Sequence, residues 1–224
     1  MPSKFSSLFS DIASFESLYK GYRRARKGKR YKDEVVNFSR DLENNLLRLS
    51  ENLSNREYES KGFKKFTLFD SKERKILAPY FRDRVVHRSL HNTLEPIFEK
   101  RFIHDTYACR PDKGTHAGVD RLQEFMRKQD TDYYLKCDVK GYFDSVDHQV
   151  LLEEVGRKVS DEDVLWLIRE FLQDYSSHKG KFKGMPIGTL YSQLFANIYL
   201  DRFDHFVKQS LRASYYIRYM DDFI

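Results

Sequence analysis

The chain has 224 residues, with 40 Lys and Arg against 34 Asp and Glu, a formal net charge of +6 and a mean hydropathy of −0.70. With 40% hydrophobic residues it has the material for a packed core, which excludes a disordered or fibrous chain. Its longest apolar stretch, Leu190 to Leu200, is broken by Ser192, Gln193 and Asn197 and falls short of the roughly 20 residues that span a bilayer, so no membrane partner is expected.

The N-terminus carries no apolar leader core. Between Lys20 and Lys32 the chain concentrates Arg23, Arg24, Arg26, Lys27, Lys29 and Arg30 around Tyr22 and Tyr31, which reads either as a phosphate-binding surface or as a solvated face. From Asp33 to Leu53, Val35, Val36, Phe38, Leu42, Leu46, Leu47 and Leu49 form a helical stripe. Alternation at Phe63, Phe66 and Leu68 predicts a two-stranded ribbon carrying Lys61, Lys64, Lys65, Lys72, Arg74 and Lys75.

Further helices are predicted at 83–100, 115–128, 148–158 and 161–175, and a last long one at 189–211 after the turn-forming Gly180, Gly184, Pro186 and Gly188. Aromatic and β-branched residues predict strands at 133–139 and 214–219. Cys109 and Cys137 are the only cysteines and lie far apart, which argues against a disulfide framework or a Cys-rich zinc site and for a reducing, cytoplasmic setting.

The chemistry is concentrated in carboxylates. Asp221 and Asp222 follow one predicted strand, and Asp138 ends the other. If the two strands lie side by side, three carboxylates meet in an oxygen-rich site suited to Mg²⁺. Two ions about 3.5–4 Å apart serve in-line phosphoryl transfer. Asp138 and Asp221 are then the bridging ligands, and Asp222 a more peripheral one, because consecutive strand residues point to opposite sides.

The run Tyr134-Leu135-Lys136-Cys137-Asp138-Val139-Lys140-Gly141-Tyr142-Phe143 followed by Tyr219-Met220-Asp221-Asp222 resembles motifs A and C of reverse transcriptases. Gly184-Met185-Pro186-Ile187-Gly188-Thr189-Leu190-Tyr191-Ser192-Gln193 with Ala196-Asn197-Ile198-Tyr199-Leu200-Asp201 resembles their motif B. Most of the family has Gln-Gly in motif B. Ile187-Gly188 with Ser192-Gln193, and the segment from Thr106 to Val119, are similar to the enzymes of diversity-generating retroelements, and less so to those of group II introns and retrons.

The resemblance runs from about Phe66 onward and implies an α+β right-hand polymerase fold. It assigns 1–57 to an N-terminal helical basic extension, 58–130 and 150–185 to fingers, and 131–149 and 186–224 to a palm. It implies an RNA-directed DNA polymerase that copies an RNA template into DNA from dNTPs with two Mg²⁺ ions, held by Asp138, the backbone of Val139, Asp221 and Asp222. Lys72 and Arg74 would hold the triphosphate. Phe143 would exclude a 2′ hydroxyl, and Ile187, Gly188 and Gln193 would line the nucleotide. Arg110 matches a nucleotide-side position, or else anchors the turn beside Pro111. Because Ile187 lacks the amide of the usual Gln, the resemblance implies error-prone copying of template adenines. It also implies a small basic oligomeric accessory protein as partner. Only two residues follow Asp222, so the end of the palm and the thumb of the family are expected to lie outside this chain, weakening its hold on a duplex. The alternatives are a group II intron or retron-like enzyme, and a non-catalytic RNA-binding fragment.

Overall fold

The computed structural model describes residues 4–69, 73–128, 133–175 and 182–224, except for the side chains of Leu68 and residues 73–76. Four short helices open the chain: α1 (Phe9–Ala13), α2 (Phe15–Ala25), α3 (Asp33–Arg40) and α4 (Leu42–Ser54). The predicted helix over 33–53 is therefore two, because Asp41 leaves helical geometry at φ −128°. The ribbon follows as β1 (Phe63–Phe69) and β2 (Glu73–Pro79), antiparallel from Phe63 opposite Pro79 to Phe69 opposite Glu73. Then come α5 (Phe81–Glu99) and α6 (Thr115–Met126), β3 (Cys137–Asp138), α7 (Tyr142–Ser145), α8 (His148–Gly156), α9 (Glu162–Gln173) and α10 (Leu190–His205), with β4 (Arg218–Tyr219) and β5 (Asp222–Phe223) last.

Local chemistry sets the helix starts. Asp147 accepts from the amides of Gln149 and Val150 to cap α8. Asp161 caps α9 through Asp163 and Val164, and its other oxygen accepts from Leu8 and Phe9 at the start of α1. One carboxylate thus joins helices more than 150 residues apart in sequence. The predicted 189–211 helix ends earlier, in a π-helical turn at Phe206–Ser210.

One hydrophobic core collects Ile12, Leu18, Tyr22, Leu46 and Leu53 together with Val85, Leu90, Leu151, Ile168, Phe171 and Phe195. The N-terminal helices are thus built into the same core as the rest of the chain rather than appended to it. A smaller cluster of Tyr107, Phe125 and Ile217 lies under α6.

The second sheet has the order β3-β5-β4. The predicted strands 133–139 and 214–219 shrink to two residues each, because β-propensity yields a ladder only where a partner strand runs alongside. Tyr133, Tyr134 and Leu135 are exposed instead. Among the described residues no helix is long and apolar enough to cross a membrane.

Candidate active site

The hairpin between β4 and β5 presents the acids. Of its two central residues, Met220 has φ +60° and Asp221 does not have positive φ, a combination matching a II′-type turn, whose twist suits a tight hairpin. The chain turns back at once, so β5 and not β4 lies against β3. Asp138 is therefore directly opposite Asp222, and the Val139 amide donates to the Asp221 carbonyl at 3.3 Å. Asp222 is carried by the strand in the middle of the sheet, in register with Asp138, and its side chain is 52% exposed.

Oxygens of Asp138, Asp221 and Asp222 all lie within 4.8 Å of one another. Burial, and then the charges of Asp138 and Asp222, push the Asp221 carboxyl above its usual range, with Arg218 pulling the other way. Three hard oxygen donors this close fit a divalent cation such as Mg²⁺, and they repel one another without it. Lys136 approaches Asp222 at 3.8 Å, an exposed and weak pairing.

The other predicted residues sort by position. Phe143 is half-buried against the main core, and its carbonyl accepts from the Met185 amide at 2.8 Å. The Gly184 amide donates to the Val146 carbonyl at 2.8 Å. These bonds lay the segment that carries Ile187 alongside the turn after β3. Ile187 is 51% exposed, and Gly188 beside it has φ +92°, a conformation that suits glycine. Gln193 is half-buried in the first turns of α10. Tyr142 orients the same region by donating to the Ala196 carbonyl at 2.6 Å.

Arg110 follows the second of its two sequence readings. Its side chain is only 6% exposed, Nε and Nη2 bond Glu99, and Nη1 bonds the carbonyls of Ile103 and Thr106 at 2.8 and 2.9 Å. With all three nitrogens engaged by protein, Arg110 anchors the turn. Arg26 is likewise engaged, bonding the Tyr22 hydroxyl at 2.9 Å and stacking on its ring. Arg23, Arg24, Lys27, Lys29 and Arg30 are exposed, Arg24 with a bond to Asn92. Arg74 lies in β2 opposite Leu68, while Lys72 lies outside the described residues.

Sequence reasoning missed the residues beneath the hairpin. Arg218 and Asp204 form an ion pair in which both side chains are 0% exposed. The available signal was a charged residue inside the aromatic run Tyr215-Tyr216-Ile217-Arg218-Tyr219.

Comparison with known proteins identifies the arrangement. The model of the reverse transcriptase (RNA-dependent DNA polymerase) family matches residues 63–224, from β1 through the hairpin. The chain belongs to the reverse transcriptase family. It is 31% identical over 144 residues to the group II intron-encoded protein LtrA of Lactococcus lactis, a match covering 62% of this chain and 23% of LtrA. It is 28% identical over 151 residues to protein YkfC of Escherichia coli, covering 62% of this chain and 39% of YkfC. Nuclear intron maturase 1 of Arabidopsis thaliana is 34% identical over 95 residues, 42% of this chain and 13% of the maturase. The chain thus spans less than half the length of these relatives. A solved Cas6-RT-Cas1–Cas2 complex shares the fold, with a TM-score of 0.56 and 18% identity over 95% of this chain and 23% of that one. The mixed helix-and-strand architecture is accordingly that of polymerase fingers and palm.

Proposed function

We propose that this chain is the fingers and palm of an RNA-directed DNA polymerase, with Asp138, Asp221 and Asp222 as its metal-binding carboxylates. The observation that carries this reading is the convergence of three acid oxygens within 4.8 Å on a reverse transcriptase hairpin. Two bound Mg²⁺ ions would supply Lewis-acid stabilisation of the attacking 3′ oxygen and the leaving pyrophosphate. The protein's part is to hold the ligands: Asp138 and Asp222 from facing strands, Asp221 from the turn between β4 and β5, and the Val139 carbonyl beside them. Phe143 underlies the deoxyribose and excludes a 2′ hydroxyl. Gly188 and Gln193 border the nucleotide, Lys72 and Arg74 take its triphosphate, and the exposed Arg23, Arg24, Lys27, Lys29 and Arg30 meet RNA phosphates.

Within that class, exposed Ile187 supports the mutagenic kind of enzyme found in diversity-generating retroelements, working with a small basic accessory protein. An apolar side chain at this place discriminates by shape alone. The group II intron-encoded and intron-maturase relatives support a second reading, an enzyme of the group II intron kind.

Primer extension on a defined RNA template with dNTPs and Mg²⁺ tests the proposal, beside an Asp221→Asn, Asp222→Asn double variant. DNA synthesis that is lost in the variant is the expected result. Synthesis that survives in it overturns the assignment. Errors concentrated opposite template adenines select the mutagenic kind, and evenly spread errors select the intron kind.

A further inference from the structure

Arg218 stands on a strand of two residues, yet its side chain is wholly buried, where a guanidinium is costly unless every donor is matched. Nε and Nη2 grip the two oxygens of Asp204 at 2.7 and 2.6 Å, a parallel fork. Nη1 reaches Asn197 Oδ1 at 3.2 Å and the Met220 carbonyl at 2.7 Å. The socket is itself braced: the Tyr216 hydroxyl donates to Asp204 at 2.6 Å, and Asn197 Nδ2 donates to the Ala108 carbonyl at 2.9 Å. Asn197 and Asp204 are seven residues apart on α10, two helical turns along one face.

The bond to Met220 is the informative one. Met220 holds the φ of +60° that an L-residue adopts only when its surroundings over-determine it. Its carbonyl belongs to the same planar peptide unit as the amide of Asp221, so a donor that fixes that oxygen fixes the plane from which the Asp221 side chain departs. On the far side, the Arg218 backbone amide donates to the Asp105 carbonyl at 2.9 Å, and its carbonyl accepts from Tyr107 at 3.0 Å. The hairpin is thereby held from beneath and from its outer edge.

We propose that Arg218, clamped by Asp204 and Asn197, is a positioning residue that aims the Asp221 carboxylate at the metal site. This rests on the reading of Asp221 as a metal ligand. A general stabilising role would not single out the turn carbonyl next to that ligand, and buried ion pairs contribute little net stability in general.

The test is direct Mn²⁺ binding to the whole chain, followed by the electron paramagnetic resonance of free Mn²⁺, with thermal unfolding as the check on folding. Arg218→Lys keeps the charge beside Asp204, but a single ammonium lacks the planar fork that spans both Asp204 oxygens and the Met220 carbonyl. Asp204→Asn combined with Arg218→Met removes both charges at similar volume, a change that cores commonly accept. Both variants are expected to unfold cooperatively, the double variant near the parent temperature and Arg218→Lys below it, and to bind Mn²⁺ about 10–100-fold more weakly, the usual effect of losing a residue that orients a ligand. Should they fail to fold, Tyr216→Phe removes a single bond to Asp204 and is expected to weaken Mn²⁺ binding in the same direction. Folded variants with parental Mn²⁺ affinity overturn the proposal. Asp138→Asn, which lies outside the clamp, separates the two failures. If it weakens Mn²⁺ binding while the clamp variants do not, only the positioning role falls. If it has no effect, the metal site and the positioning role fall together.

Discussion

Gly21 in α2 lies against the backbone of Val85 in α5, so closely that a β-carbon on Gly21 would sit 2.6 Å from the Val85 carbonyl oxygen. That oxygen is part of a helix and cannot swing away as a flexible side chain could. The contact lets α2 bury Leu18 and Tyr22 in the common core. Gly21→Ala gains helix propensity but forces the helices apart, and the net expectation is a loss of about 1–2 kcal/mol in urea unfolding.

Arg110→Ala is expected to act on folding and not on nucleotide affinity. It leaves two carbonyls and the partly exposed Glu99 without their partner, so stability should fall by about 1–2 kcal/mol. The KM for dNTP of the folded variant should match the parent. A raised KM at unchanged stability would return Arg110 to the nucleotide.

Acid should weaken the fold through two histidines. His87 packs edge-on to Phe171 and Tyr191 at 4.3 and 4.7 Å, and burial, with Arg84 nearby, lowers its pKa to about 3. Burial, then Arg88 and Arg24, lowers His91 to about 4. Their unfolded values are near 6.5, so between pH 6.5 and 4 the unfolded chain binds the additional protons. The stability they contribute is whole above pH 6.5 and is lost as pH falls, with a slope approaching about 1.4 kcal/mol per pH unit for each histidine. His87→Leu should flatten the slope by one histidine's share, measured as urea unfolding at a series of pH values.

Ile187→Gln adds an amide where the structure offers an exposed apolar surface. One extra hydrogen bond of about 1 kcal/mol corresponds to roughly a fivefold drop in misincorporation opposite template adenine, read by sequencing extension products. An unchanged error rate would remove Ile187 from base selection.

Much of this protein was legible in its residues because the signals act over short distances. Periodic apolar positions gave most of the helices to within a few residues, and caps such as Asp147 and Asp161 mark their starts through their own neighbouring amides. Spacing and family resemblance singled out Asp138, Asp221 and Asp222, whose oxygens the structure brings within 4.8 Å of one another. What only the tertiary structure decided was which partner meets which group. The strand order β3-β5-β4 sets Asp222 opposite Asp138, Glu99 claims Arg110, and Asp204 claims Arg218. Buried charges and strand ladders are satisfied by residues brought together by packing rather than by sequence neighbours, and that choice depends on the closed core as a whole.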